Sequence, residues 1–242
     1  MMLILISKNL LKMSELKQYK MFIDGEWVDS ESKKTFKSLN PENNEPWVVV
    51  PQASEKDIDI AVNAAQKAFD GSWPNLFPRE RAKYLKAIAN ELRENAELLG
   101  KIETIDTGKL FKETKTQANY IAEYYDYYAG LADKVEGTVL PIDKANMQVI
   151  TTRVPIGVVA AIIPWNSQML LTAVKLAPAL AMGNTVVIKS SELAPATLFE
   201  FGKLIEKTGI PKGVVNIVSG FGEPCGRALT SHKLVERVAF TG

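Results

Sequence analysis

The sequence predicts an α/β fold: a wound parallel sheet, preceded by a helical region with a few short strands. Three observations predict it. GVVAAII, TVVIK, VVNIV and RVAF are short β-branched runs at near-regular spacing within residues 157–240, with helix-compatible segments between them. Continuous apolar runs of this length fit strands covered on both faces, as in a parallel sheet. Before them, residues 54–137 repeat apolar positions at helical spacing, and residues 20–50 show strand-like alternation broken by turns. Strand and helix units in alternation imply right-handed crossovers and not a solenoid.

The first residues, MMLILISKNLLKM, are apolar but short, and Lys8 interrupts them before a spanning length is reached. They lack a small-residue cleavage site, which argues against a secretory signal. Residues 1–13 read as a disordered start-site extension ahead of Met13, or else as a weak amphipathic anchor; residues 14–242 read as one domain. MFIDGEWV alternates around the turn Asp24-Gly25, and Asn40-Pro41 marks a loop. Ser54 with Asp57 resembles a capping box, and Ile58, Ala61, Val62, Ala65, Ala68 and Phe69 then make one apolar face. Pro78 opens a second helix in which Tyr84, Leu85, Ile88 and Leu92 recur at helical spacing. A third helix runs from about Glu97 to near Gly108. A fourth runs from about Lys112 through the Tyr-rich stretch, with Gly137 as its C-terminal stop. TVLPI and MQVITTRVP, within residues 138–155, are extended runs joined by a polar turn, a hairpin projecting between the helical part and the strand–helix units.

Composition narrows the function. With 29 Lys+Arg against 28 Asp+Glu, no net field attracts nucleic acid or a membrane surface. Charge clusters such as Arg79–Arg81 with Lys83 read as solvated helix faces. One cysteine excludes an internal disulfide, and one histidine leaves no plausible zinc or haem cluster. A reducing cytoplasm is the expected compartment. There is no G-x-S-x-G and no Walker A motif.

The carboxyl ends of strands in a wound sheet form its ligand-facing edge, so the junctions carry the chemistry. They read IIPWN (Ile162 to Asn166), KSSELAP (Lys189 to Pro195), GFGEPCG (Gly220 to Gly226) and AFTG (Ala239 to Gly242). Asn166 offers a neutral, non-titrating NH2 suited to a developing oxyanion; taken alone, it reads first as a helix N-cap. Lys189 and Glu192 straddle a strand end, where both can reach ribose hydroxyls; alone, they read as a surface ion pair. A carboxylate accepts from a 2′-OH and repels a 2′-phosphate, which leans toward NAD over NADP. Gly220-x-Gly222-x-x-x-Gly226 is similar to a dinucleotide glycine fingerprint but lies on the wrong βα turn, with no acidic residue ending a following strand. Cys225, the sole thiol, sits beside Pro224 with no base to activate it and reads as a small packing residue. His232 reads as a loop or helix-end residue.

These motifs, in this order from MFIDGEWV to AFTG, resemble the NAD(P)-dependent aldehyde dehydrogenase superfamily over nearly the whole chain. The resemblance implies a Rossmann-like parallel sheet and oxidation of an aldehyde to a carboxylic acid with NAD(P)+. It assigns Ile162, Ile163, Pro164, Trp165 and Asn166 to the nicotinamide site, and Asn166 also to the oxyanion. Lys189 and Glu192 fall to the adenosine ribose, Gly222 and Gly226 to the adenine half, and Phe240, Thr241 and Gly242 to the start of the phosphate-side turn. Lys175 matches a lysine implicated in water-mediated proton transfer, with a helix-surface lysine as the plain alternative. Ser167-Gln168 stands where many members have Phe-Pro, and Ser190 where many have Pro. The family's thiol nucleophile and general-base glutamate belong to later segments, so the expectation is an N-terminal part: cradle and oxyanion donor without nucleophile or base. It implies a small-molecule aldehyde as substrate and homo-oligomerisation at full length, aided by the hairpin. A non-catalytic nucleotide-binding module is the alternative, and a relative acting on acyl phosphates or semialdehydes a third reading. The stop at Gly242 also predicts exposed apolar surface and an open sheet edge.

Overall fold

The computed structural model describes residues 16–242, so the reading of residues 1–13 lies outside the described residues. The short strands of the first part are β1 (Lys17–Gln18), β2 (Met21–Ile23), β3 (Glu26–Val28), β4 (Thr35–Asn40) and β5 (Glu45–Pro51). Four helices follow: α1 (Glu55–Asp70), α2 (Pro78–Glu94), α3 (Ala96–Thr107) and α4 (Phe111–Leu131). The hairpin is β6 (Val139–Leu140) with β7 (Val149–Ile150). Then come β8 (Val158–Ile162), α5 (Gln168–Ala181), β9 (Thr185–Lys189), α6 (Ala196–Lys207), β10 (Val215–Val218), the short α7 (Arg227–Thr230) and β11 (Val235–Phe240).

The main sheet has six strands in the order β11-β8-β9-β10-β2-β3. The four predicted β-branched runs pair in parallel, and their last residues lie level: Phe240 opposite Ile162, Ile162 opposite Lys189, Lys189 opposite Val218. That register brings every ligand-facing junction to one edge. The β2–β3 hairpin turns at Asp24 (φ 51°) and Gly25 (φ 74°), the geometry a tight two-residue hairpin requires. It joins the far side of the same sheet antiparallel, Phe22 opposite Ile217, a placement with no local signal.

Alternation along the strands divides the interior. Val158, Ala160, Val187 and Val218 pack with Ile58, Ala61, Val62 and Ala65 of α1. Val159, Ala161, Val186, Ile188, Val215 and Ile217 face the larger core, with Leu85, Ile88, Tyr125, Leu176, Phe199 and Phe201 of α2, α4, α5 and α6. Each Val, Leu, Ile or Phe side chain among these contributes about 1.5–3 kcal/mol when fully buried.

The structure corrects three local expectations. α4 ends at Leu131, short of Gly137. Gly137 instead opens the hairpin, where a Cβ would lie 1.8 Å from the Thr151 carbonyl oxygen, so the glycine permits strand approach rather than stopping a helix. Arg81 is not on a solvated face: it is buried, and its Nε donates to the Ala181 carbonyl at 3.1 Å, closing the end of α5. β11 is largely exposed, unlike β8–β10, because it forms the sheet edge.

Candidate active site

Beyond the level strand ends lies an open cleft of about 530 Å³. Its walls include all the residues assigned to a cofactor from sequence: Ile162, Ile163, Pro164, Trp165, Asn166, Lys189, Glu192, Gly222, Gly226, Phe240, Thr241 and Gly242. Residues as far apart in the chain as Ile162 and Gly242 meet there because parallel pairing aligns their strands.

The first junction leaves β8 and turns before α5. Ser167, not Asn166, occupies the N-cap position of α5, and it makes no side-chain capping bond. The plain N-cap reading of Asn166 is therefore wrong: the chain reaches helical geometry one residue later. The Asn166 side chain is exposed, with no partner among the described residues, so both carboxamide hydrogens are free to donate.

At the second junction Lys189 is 4% exposed. Its Nζ donates to the Ser190 carbonyl at 3.0 Å and lies 3.4 Å from Glu192 Oε2. The ion pair predicted as a surface feature is half-buried, with the ammonium inside and the carboxylate, 34% exposed, toward the cleft. At the third junction Gly222 has no atom within 4 Å of a would-be Cβ, and at Gly226 the nearest would be Lys189 Cε at 3.7 Å. Neither is demanded by packing, so both leave room on the cleft side. Gly220 is different: at φ +156° its Cβ would lie 2.8 Å from Cys225 Cβ, which makes it a packing glycine. Cys225 is fully buried, and burial pushes its thiol up to about 12. That agrees with a packing role. His232 accepts at Nδ1 from the Leu234 backbone N–H and meets Asp59 at 3.2 Å, ahead of β11.

Lys175 does not line this cleft. It borders a neighbouring cavity of about 560 Å³, where its Nζ donates to Thr241 Oγ1 at 2.7 Å; Thr241 lines both spaces. Burial lowers the Lys175 pKa. Sequence reasoning missed Ser191, Leu193, Thr230 and Val238, which also line the cleft. Ser191 and Leu193 flank Glu192 and were accessible by adjacency; Thr230, at the end of α7, carries no local signal.

The family model for the aldehyde dehydrogenase family matches residues 27–242. The chain belongs to the aldehyde dehydrogenase family. A (Z)-2-((N-methylformamido)methylene)-5-hydroxybutyrolactone dehydrogenase of Acinetobacter baylyi is 49% identical over 228 residues, 94% of this chain and 46% of that protein. The betaine aldehyde dehydrogenase of Bacillus subtilis is 42% identical over 225 residues, 92% of this chain and 46% of that one. The solved NAD+ complex of an aldehyde dehydrogenase from Bacillus cereus superposes with a TM-score of 0.90 at 39% identity, covering 93% of this chain and 46% of that structure. The chain thus spans about half the length of the curated relatives it matches.

Among the described residues, no cluster of His, Cys, Asp and Glu could hold a metal ion, and no helix is long and apolar enough to cross a membrane.

Proposed function

We propose that this chain provides the dinucleotide cradle and the oxyanion donor of an NAD(P)+-dependent aldehyde dehydrogenase, which oxidises an aldehyde to a carboxylic acid. One observation carries the reading: a single cleft unites the four strand-end junctions. The donor set fits a pyridine dinucleotide. Glu192 and Lys189 offer an acceptor and a donor to a ribose diol, Gly222 and Gly226 keep one wall open, and exposed Trp165 and Phe240 offer flat apolar surface. When bound, the dinucleotide supplies a hydride acceptor.

The chain's own residues orient and polarise. Asn166 Nδ2–H donates to the aldehyde oxygen as negative charge develops there; because the amide does not titrate, its donation is independent of pH. Glu192 accepts from a ribose hydroxyl and disfavours a 2′-phosphate, which selects NAD over NADP. Lys175, through Thr241, borders the cleft from outside and stands ready to pass a proton along that hydroxyl. The covalent step needs a thiolate, and Cys225 is too deeply buried to provide one. As Cys225 is the sole cysteine of residues 1–242, the thiolate must come from outside them, and the family resemblance puts the general base there as well. The same observation favours a second reading, in which these residues act as a nucleotide-binding module alone. The hairpin, with exposed Val139, Leu140 and Ile150, serves subunit association in a cytoplasmic homo-oligomer.

Calorimetric titration of the chain with NAD+ and NADP+ tests the cradle: saturable binding with NAD+ preferred is expected, and absence of binding to either overturns it. Assayed with NAD+ and an aldehyde panel, the same chain should show negligible turnover.

A further inference from the structure

The turn that carries Asn166 has an anchor from a distant part of the chain. Lys109 follows the end of α3, and its Nζ donates to Ser167 Oγ at 2.7 Å, 58 residues away in sequence. The same ammonium lies 3.7 Å from Glu103 Oε1; the Lys109 side chain is 28% exposed and that of Glu103 3%. Glu103 Oε1 accepts no hydrogen bond among the described residues, so Lys109 is the cation that compensates it. Burial raises the Glu103 carboxyl, and Lys109 opposes that rise.

Two further facts make the anchor consequential. The Ser167 hydroxyl, at the N-cap of α5, would ordinarily accept from the first turn of the helix, but here it is engaged by Lys109. Gln168, the next residue, is fully buried with neither carboxamide atom bonded among the described residues, so it contributes no polar tie to the turn. The carboxamide of Asn166 is itself free. Its direction is therefore set by the backbone of a turn whose side-chain tether is the Lys109–Ser167 bond.

We propose that Lys109 is a positioning residue: braced by Glu103, it holds the Ser167 hydroxyl and so fixes where the Asn166 carboxamide points. This rests on the reading of Asn166 as oxyanion donor, and it deepens that reading by naming what aims the donor. The family's common Phe-Pro at this place has no hydroxyl to hold, so the device belongs to the Ser167-Gln168 departure of this sequence.

The test is NMR of the side-chain NH2 pair of Asn166 in the 15N-labelled chain, identified by its loss in N166D. The Asn216 pair, whose Nδ2 donates to the Gly213 carbonyl within the core, is the internal control. In K109M and in S167A the Asn166 pair should shift beyond its linewidth while Asn216 stays put. The double variant should shift it no further than either single change, and K109R should restore most of the original position. An unmoved Asn166 pair in both single variants overturns the proposal. If K109M disturbs Asn216 as well, S167A decides: a stationary Asn166 pair there also overturns it. Loss of NAD+ binding in the unaltered chain would sink the cradle reading while leaving the NMR result to stand on its own.

Discussion

Single side chains set the chemistry of the cleft, and two of them give sharp expectations. Replacing Glu192 with Gln keeps an acceptor but removes the charge. Hydrogen bonds to charged groups contribute about 1.5–3 kcal/mol, so NAD+ affinity should fall about tenfold. On the proposed role of Glu192 at the ribose, discrimination against NADP+ should narrow at the same time, because its charge would no longer repel a 2′-phosphate; paired calorimetric titrations read both. Cys225 is buried with its thiol pushed up to about 12. A thiol-specific chromogenic reagent at pH 8 should therefore leave the native chain unreacted and titrate one thiol after denaturation. The single cysteine and its Pro neighbour made this packing role legible in the sequence. The tether from Lys109 was not legible, since nothing local relates residue 109 to residue 167.

At the scale of elements, one cap was readable and long-range fitting was not. The Ser54–Asp57 box forms as expected at the start of α1. Asp57 does more than the motif implies: its carboxylate also accepts from Ser30 Oγ at 2.7 Å and the Glu31 N–H at 2.9 Å, stitching the β3–β4 connection to α1. These donors hold its carboxyl below the usual carboxylate range despite burial. Asp57→Ala should cost about 2 kcal/mol, more than a cap alone, measured by urea denaturation. Gly137 invited the wrong inference because a glycine after a helix and a glycine at a tight strand crossing look alike in sequence. Gly137→Ala would place a methyl against the Thr151 carbonyl and should disrupt the hairpin. If the hairpin serves subunit association as proposed, light scattering coupled to size exclusion should then show weaker self-association, with the melting of the remaining domain little changed.

Over the whole molecule, buried polar ties join parts that no periodicity connects. Asp106, near the end of α3, accepts from Ser38 Oγ at 2.7 Å, Trp47 Nε1 at 3.2 Å and the Ala196 N–H at 2.7 Å, so it caps α6 while tying down the small β1-β5-β4 sheet. Burial lifts its carboxyl from 3.8 to about 7, against the pull of those donors. The folded chain thus holds this proton more tightly than the unfolded chain between pH 4 and 7. Its contribution to stability is largest below about pH 4, and falls as pH rises toward 7 by at most roughly 1.4 kcal/mol per pH unit. Asp106→Asn should remove that slope from the stability profile. The edge strand β11 exposes Phe240 (65%) and Val238 (42%), and an open parallel edge invites pairing. The 242-residue polypeptide should accordingly self-associate with concentration, and Phe240→Lys should reduce this in sedimentation velocity.

The strands β8 to β11, their junction residues and the family were all readable from the chain, because β-branched runs and the polar strings after them are contiguous in sequence. Only the folded molecule decided that Lys189 lies inside while Glu192 faces the cleft, that Arg81 closes α5, and that the Asp24-Gly25 hairpin extends the main sheet. Those outcomes depend on burial and on contacts between distant segments, and such contacts exist only after parallel pairing has set the strand ends level.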